Sequence, residues 1–183
     1  MYYSSIQKAA ALLSESGIVA YPTEYCYGLG CDPMNYSAVK RLLNIKRRHW
    51  SQGLILIAAD LNQLGAFIDL SSKTLLEKPC STWPGPYTWL LPALNRTPRW
   101  IRGHHDSVAV RISNHPTAIA LCRNFGAAIV STSANKTGRP PLRTHRHVRC
   151  EFGTDIDFIL DGSVGKMTKP STIQDAISGA LIR

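Results

Sequence analysis

The sequence predicts an α/β fold in which helices flank a mixed sheet. Short apolar runs, typical of strands, alternate along the chain with segments whose apolar residues recur at helical spacing. The predicted strands 87–91 and 108–112 are joined by a connection without a helix, which favours antiparallel pairing. With 183 residues and no linker, repeat or low-complexity segment, we expect a single domain over 1–183.

The first half of the chain alternates between the two patterns. Apolar residues at helical spacing followed by Gly17 predict a first helix, and Asn35 stands where a second helix needs a cap. The predicted elements are a helix over 5–16, a strand at 18–21 leading into a loop at 23–30, a helix from Asn35 to about Lys46, a strand at 54–58, short helices at 61–67 and 75–80, a rigid turn at 83–86 and a strand at 87–91.

The second half continues the alternation. Asn114 is expected to cap a helix that Gly126 ends. The predicted elements are a strand at 108–112, a helix at 115–125, a strand at 127–131 that residues 133–135 then leave, a helix near 144–152, a strand at 158–160 and a final short strand after 170–173.

The charge balance favours anionic partners. Twenty-one Lys and Arg against twelve Asp and Glu give a formal net charge of +9, and such a surface attracts nucleotides or RNA. The alternative is that these side chains only keep the protein in solution, and charge alone does not separate the two.

Cysteine usage and hydropathy predict a cytoplasmic protein. The five cysteines are scattered without a CxxC pair, which argues against a disulfide framework and a zinc knuckle. His145, His147 and Cys150 have a metal-like spacing, but no second cluster completes a ligand set, so we expect no protein-bound metal. No apolar run reaches the length of about 18 residues that a membrane span needs, and no membrane partner is expected.

Hydroxyl and basic residues stand at several predicted strand and helix ends. Together they form a plausible site for an anion and an amino acid, although each has a structural alternative: a basic helix end, a strand-end ion pair or a Ser/Thr turn. They are Thr23, Lys46, Arg48, Arg111, residues 131–135, Arg143 and residues 171–172. The P-loop and dinucleotide fingerprints are both missing.

Seven motifs in order carry a resemblance to a known family. They are Tyr-Pro-Thr-Glu-x-x-Tyr-Gly-Leu-Gly at 21–30, Lys-x-Arg at 46–48, Gly-Leu-Ile-Leu-Ile at 53–57, Trp-Pro-Gly-Pro at 83–86, Ala-Val-Arg at 109–111, Ser-Thr-Ser-Ala-Asn at 131–135 and Pro-Ser-Thr-Ile at 170–173. In these the chain resembles the YrdC-type threonylcarbamoyl-adenylate synthases, in their bacterial short single-domain form.

The resemblance implies a twisted mixed sheet with a large basic concave cleft. It also implies a reaction in which L-threonine, bicarbonate and ATP, with Mg²⁺, give threonylcarbamoyl-AMP and pyrophosphate. The product would serve modification of adenosine 37 in tRNA by a tRNA threonylcarbamoyltransferase complex.

By the same resemblance, Lys46 and Arg48 would be catalytic and bind ATP. Further ATP contacts would come from Ser131, Ser133, Asn135 and Arg143. Thr23, Arg111 and Ser171 would bind threonine, with Arg111 on its carboxylate. The loops 47–53 and 136–146 are candidates for closing the cleft.

Two alternatives stay open at this stage. The family usually has a small pair where this chain has Tyr25-Cys26, so the enzyme could take another amino acid. Cys26 itself has no neighbouring His in sequence and is not expected to be a nucleophile. In the other alternative the chain is a non-catalytic module that holds tRNA or double-stranded RNA in the same basic cleft.

Overall fold

The computed structural model describes residues 2–183, and the side chains from Ser4 onward. The helices are α1 Tyr2–Ser14, α2 Tyr36–Lys46, α3 Lys73–Thr82, α4 Arg99–Arg102, α5 Pro116–Phe125 and α6 His145–Phe152. The strands are β1 Val19–Pro22, β2 Tyr27–Gly30, β3 Ile55–Ala58, β4 Tyr87–Pro92, β5 Ser107–Ile112, β6 Ile129–Ser133, β7 Phe158–Ile159 and β8 Thr172–Asp175. Single 3₁₀ turns lie at Trp50–Gln52 and Asn62–Leu64.

The strands form one mixed sheet, as the sequence predicts. Their order is β7-β1-β2-β6-β3-β5-β4-β8. The pairs β1–β7, β3–β5 and β4–β8 are parallel, whereas β1–β2, β2–β6, β3–β6 and β4–β5 are antiparallel. The predicted antiparallel pairing of the strands near 87–91 and 108–112 is confirmed.

The two faces of the sheet are covered unequally. One face packs against α2, α3, α4 and α6 through a continuous apolar core that includes Leu42, Leu56 and Val110. On the other face α1 and α5 cover Val19, Ile57 and Ile129 in a smaller core. Because side chains alternate along a strand, Ile55 and Ser131 lie on this second face too, with Ile55 at the margin of that core. The second face is therefore only partly covered by helices.

The glycines of the first motif lie in a strand, contrary to the loop predicted over 23–30. Only the segment from Thr23 to Cys26 forms the turn, and Tyr27–Gly30 is β2. Gly28 pairs with Tyr21 of β1, and a Cβ on Gly28 or Gly30 would meet the Tyr21 ring at 3.2 or 2.9 Å. The glycines are thus needed so that the buried Tyr21 side chain can lie across β2.

Of the two helix N-caps predicted from the sequence, one is correct and one is wrong. The Asn35 side chain accepts a hydrogen bond from the Ala38 amide at the start of α2, as predicted. Asn114 does not cap α5: the N-cap is His115, with Pro116 as the first helical residue. The backbone amide of Asn114 donates instead to the Glu24 carboxylate. The Gly126 stop is confirmed, with φ of 85°.

Three further features of the secondary structure differ from the sequence prediction. The helix expected at 61–67 is reduced to the turn Asn62–Leu64, and α4 was not predicted because four residues are too short to show a period. Strand β6 extends to Ser133, beyond the expected end at 131. Within residues 2–183, no helix has the length and apolarity needed to cross a bilayer.

The two asparagines give a matched test of these caps. Asn35→Ala should lower the free energy of unfolding by about 1 kcal/mol, because an α2 amide loses its acceptor. Asn114→Ala should change it by less than about 0.5 kcal/mol, since that side chain caps nothing. Urea unfolding measures both. Equal losses for the two variants would contradict the cap assignment.

Candidate active site

A cavity of about 390 Å³ lies on the partly covered face of the sheet. Its floor includes Ser131, Ile55, Ala109 and Leu90, which stand opposite one another on the neighbouring strands β6, β3, β5 and β4. The Thr23–Cys26 turn, Gly53 and the segment after β8 add walls. The part of this face that α1 and α5 leave uncovered therefore forms the floor of a pocket.

Four arginines line this cavity. They are Arg48, Arg102, Arg111 and Arg183, and none of the described lining residues is Asp or Glu. Burial and the nearby Arg183 lower the pKa of Arg48, and burial and the nearby Arg111 lower the pKa of Arg183. These guanidinium groups are thus close enough to repel one another, and an anion between them would relieve the repulsion.

Two of these arginines each have an N–H group that makes no hydrogen bond to the described residues. The buried Nε atoms of Arg48 and Arg111 have no hydrogen-bond partner in the described part of the chain. Arg48 donates through Nη2 to the Gly53 carbonyl at 2.8 Å, which fixes the direction of its fork. A buried donor without a partner costs free energy, so the fold holds these two guanidinium groups in place at some expense of stability.

Arg111 is held by a buried carboxylate. Its Nη1 lies 3.4 Å from Oε2 of Glu24, and both side chains are about 10% exposed. Oε1 of Glu24 accepts hydrogen bonds from the Ser113 hydroxyl and the Asn114 amide, each at 2.8 Å. Burial by itself would raise the pKa of Glu24, but Arg111 and these hydrogen bonds outweigh it and lower the pKa. Glu24 therefore stays ionised and orients Arg111.

Lys46 lies behind the cavity and does not line it. Its buried ammonium donates to the Ser133 carbonyl at 2.7 Å, to Oδ1 of Asn135 at 2.9 Å and to the Asn135 carbonyl. These bonds join the end of α2 to the end of β6. Burial, and next the nearby Arg48, lower the pKa of Lys46 to about 8.

Hydroxyl groups supply the neutral polar part of the lining. Thr23 donates to the Cys26 carbonyl at 2.7 Å, and the Ser171 hydroxyl lies 3.0 Å from that of Thr88. Ser131 and Ser133 line the cavity from the end of β6, and Ser133 donates to Oδ1 of Asn135 at 2.6 Å. A hydroxyl can donate or accept, so these groups can adapt to a bound ligand.

The Tyr25-Cys26 pair, where the chain departs from the family motif, lies at the cavity. Tyr25 and Cys26 line it, and the Arg143 guanidinium stands 5.4 Å from the Tyr25 ring centroid. Arg143 also donates to the Met167 carbonyl at 3.0 Å. Burial raises the pKa of Cys26 to about 11, so the thiol stays protonated at neutral pH.

The family model called Sua5, YciO and YrdC, described as "Telomere recombination", matches residues 11–183. The chain belongs to this family. The resemblance found in the seven sequence motifs is therefore confirmed, and so is the α/β fold expected from it.

Two similar relatives are both named threonylcarbamoyl-AMP synthase. The threonylcarbamoyl-AMP synthase of Halorhodospira halophila is 49% identical over 178 residues, covering 97% of this chain and 93% of its own length. That of Nitrosococcus oceani is 48% identical over 181 residues, covering 97% and 96%.

Solved structures of P. abyssi Sua5 share the fold. The one complexed with L-threonine has a TM-score of 0.88 and 34% identity over 96% of this chain, and a double variant has 0.93 and 33% over 100%. The chain spans only 52% and 57% of those two longer proteins.

Of the site residues predicted from the sequence, most meet in one place. Thr23, Arg48, Arg111, Ser131, Ser133 and Ser171 line the cavity, whereas Lys46, Asn135 and Arg143 do not. Their roles in binding, and the wider basic cleft of the family, stay predictions. His145, His147 and Cys150 fall on α6, and residues 2–183 contain no cluster of three or more His, Cys, Asp or Glu able to hold a metal.

Sequence reasoning missed Arg102, Arg183 and the positioning role of Glu24. Arg183 reaches the cavity because the last residues fold back on β8, where the Ile182 amide donates to the Ile173 carbonyl at 2.7 Å and the Ile173 amide donates to the Arg183 carbonyl at 2.8 Å. No local pattern signals that pairing. Glu24 stands inside the first motif, but only the fold brings it to Arg111.

The buried pair predicts a pH-dependent stability. Glu24→Gln should lower the free energy of unfolding at pH 7 by about 3 kcal/mol, because Arg111 loses its buried counter-charge. The folded pKa of Glu24 is lowered, so its contribution is present above the unfolded pKa of about 4.3 and is lost as pH falls through the folded value. Urea unfolding at several pH values should show the gap to wild type narrowing below about pH 4.

Glu77→Gln is the control, since it removes an exposed carboxylate on α3. It should leave stability nearly unchanged at every pH. A gap for Glu24→Gln that stays constant down to pH 3 would contradict the ionised pair.

Proposed function

We propose that this chain is a threonylcarbamoyl-AMP synthase. It would use L-threonine, bicarbonate and ATP to form the mixed anhydride threonylcarbamoyl-AMP, with release of pyrophosphate. Family membership and the names of the relatives support the reaction class over a non-catalytic RNA-binding module. The observation that carries the proposal is the cavity lined by four arginines, with no Asp or Glu among its described lining residues.

The chemistry has two steps. The amine of threonine attacks the carbon of bicarbonate and forms a carbamate, with loss of water. A carbamate oxygen then attacks the α-phosphorus of ATP, the bond from that phosphorus to the bridging oxygen breaks, and pyrophosphate leaves. Negative charge accumulates around the phosphorus, so the protein has to provide positive charge and alignment.

The triphosphate would lie against Arg48 and Arg183. Burial, and next a neighbouring arginine, lower the pKa of each group, so a bound anion would stabilise their charged forms. Lys46 supplies a third charge from behind the β6 end, and Ser131, Ser133 and Asn135 would complete the contacts there. Arg143 would reach the ligand only after leaving its carbonyl partners. In this scheme Lys46 and Arg48 are the catalytic cations.

Threonine would lie beside the Thr23–Cys26 turn. Arg111, held by Glu24, would bind its carboxylate through its guanidinium group, in a charge-assisted hydrogen bond. Thr23 and Ser171 would contact the remaining polar atoms of the amino acid. Tyr25 and Cys26 narrow this end and would set how large a side chain fits.

The other partners follow from this reaction. Mg²⁺ would enter as part of the MgATP substrate, held by phosphate oxygens, because no carboxylate is among the described cavity-lining residues. The labile anhydride would pass to a tRNA threonylcarbamoyltransferase complex for modification of tRNA. We place this reaction in the cytoplasm, where tRNA is available.

The reaction predicts a strict dependence on all three substrates. Pyrophosphate should appear only when ATP, threonine and bicarbonate are present together, and a coupled phosphate assay measures it. Serine and valine in place of threonine test the pocket that Tyr25 and Cys26 form. Pyrophosphate release without any amino acid would rule out the proposed function.

The lowered pKa of Lys46 predicts how the activity depends on pH. Its pKa of about 8 means that it loses its positive charge above that pH, so kcat/KM for ATP should fall there in the wild type. Lys46→Arg keeps its charge and should show no such fall. Lys46→Ala should reduce kcat/KM at least tenfold, about 1.4 kcal/mol on the barrier, whereas Lys40→Ala on the exposed face of α2 should not.

The threonine amine titrates in the same way in assays of both enzymes. Comparing kcat/KM of Lys46→Arg with that of the wild type at each pH therefore isolates the effect of residue 46. The same falling limb in both would show that Lys46 does not carry the effect. Unchanged turnover of Lys46→Ala would remove this residue from the site.

A further inference from the structure

The segment that joins β7 to β8 is hydrogen-bonded to the turn before β2. The Gly165 amide donates to the Thr23 carbonyl at 2.9 Å, and the Met167 amide donates to the Glu24 carbonyl at 3.1 Å. A Cβ on Gly165 would stand only 2.7 Å from the Glu24 carbonyl oxygen, so glycine is needed for this close approach. Residues 162–167 form what we call the bracing segment. It supports Thr23, which lines the cavity, and Glu24, which orients an arginine of the same cavity.

Two buried side chains are hydrogen-bonded to carbonyl groups of the bracing segment. The Tyr27 hydroxyl donates to the Gly162 carbonyl at 2.7 Å. Nε2 of His115 lies 3.1 Å from the Ser163 carbonyl oxygen, and His115 is only 7% exposed. Because a carbonyl oxygen only accepts, this ring nitrogen carries the hydrogen and donates it. The residue that precedes α5 therefore holds the bracing segment at Ser163.

The His115 ring is a neutral, single donor at neutral pH. Nδ1 is buried and has no hydrogen-bond partner among the described residues, so a proton added there would find no acceptor. Burial accordingly lowers the pKa of His115. His115 does not belong to the described residues that line the cavity. Any effect of this ring on the reaction therefore passes through the groups that it holds.

His115 is also connected to the Glu24 carboxylate. Its backbone amide donates to the Ser113 hydroxyl oxygen at 3.2 Å, and that hydroxyl donates to Oε1 of Glu24 at 2.8 Å. One residue thus reaches the turn by two routes, with its ring through the bracing segment and with its backbone through Ser113. Replacing the ring removes only the first route, so the role of the side chain can be tested by itself.

We propose that His115 is a positioning residue for the amino-acid substrate. Its ring fixes the bracing segment, and the bracing segment holds Thr23 and Glu24 at the amino-acid end of the cavity. Thr23 contacts the amino acid directly, whereas Glu24 acts through Arg111. The identity of the substrate as threonine rests on the proposed function, whereas the hydrogen bonds between α5, the bracing segment and the turn rest on the structure itself.

His115→Phe is the decisive variant. It keeps the volume of the ring and removes the donor, so the KM for threonine should rise about three- to tenfold, the usual effect of one hydrogen bond. The KM for ATP should stay within about twofold of the wild type, because Arg48 is held by Gly53 instead. His115→Gln places an amide N–H near the position of Nε2 and should return the KM for threonine to within about twofold of the wild type.

Gly165→Ala tests the same segment without touching His115. The added Cβ would push the bracing segment away from the Glu24 carbonyl, so the KM for threonine should again rise at least about threefold, with little change in the KM for ATP. A wild-type KM for threonine in either His115→Phe or Gly165→Ala, or an equal rise in the KM for ATP, would overturn the proposal.

Thr97→Val is the matched control. The buried Thr97 hydroxyl donates to the Phe67 carbonyl at 2.8 Å, and Thr97 is not among the described residues that line the cavity. This variant also loses a buried donor to a carbonyl, so its free energy of unfolding in urea should fall by an amount similar to that of His115→Phe. Its KM for threonine should nevertheless be unchanged. A KM raised as much as in His115→Phe would reduce the effect to a general loss of stability and overturn the proposal.

Amide hydrogen exchange separates this inference from the proposed function, because it needs no substrate. Peptides that cover 162–167 should exchange faster in His115→Phe than in the wild type, His115→Gln or Thr97→Val. Unchanged exchange would overturn the anchoring by His115 even in an active synthase. If the wild type releases no pyrophosphate, the synthase is rejected and the exchange result still decides whether His115 holds the bracing segment. Normal release with a wild-type KM for threonine in His115→Phe would reject the positioning role alone.

Discussion

The site depends on holding several positive charges close together before any anion arrives. Each charge has its own restraint: Lys46 is held by carbonyl and amide oxygens at the β6 end, Arg48 by the Gly53 carbonyl, and Arg111 by Glu24. Of these restraints only Glu24 carries a full negative charge. The others are dipoles, which steady a cation without cancelling it, so the cavity keeps a net attraction for a polyanion.

The unequal covering of the sheet explains why the charges can meet there. Helices α1 and α5 bury only part of one face, and small or polar side chains occupy the remainder, among them Ser131, Ser133 and Ala109. Large apolar residues at those positions would fill the cavity or require a third helix. The same strands are therefore core on one side and ligand surface on the other.

Local patterns predicted most elements and failed where tertiary pairing decides. The spacing of apolar residues located α2 and β3, and Asn35 was recognised as a cap from its residue type. Gly28 and Gly30 suggested a loop, because the sequence does not reveal that Tyr21 needs the space above them. The family motifs identified Arg48, Arg111 and Ser133, whereas Arg183 could be found only from the fold.

The position of Arg183 has a practical consequence. Its backbone is fixed by hydrogen bonds to Ile173 while its side chain lines the cavity, so the carboxyl end of the described chain is part of the pocket wall. An environment-sensitive dye attached at this position, through an Arg183→Cys substitution, would therefore report whether the cavity is occupied.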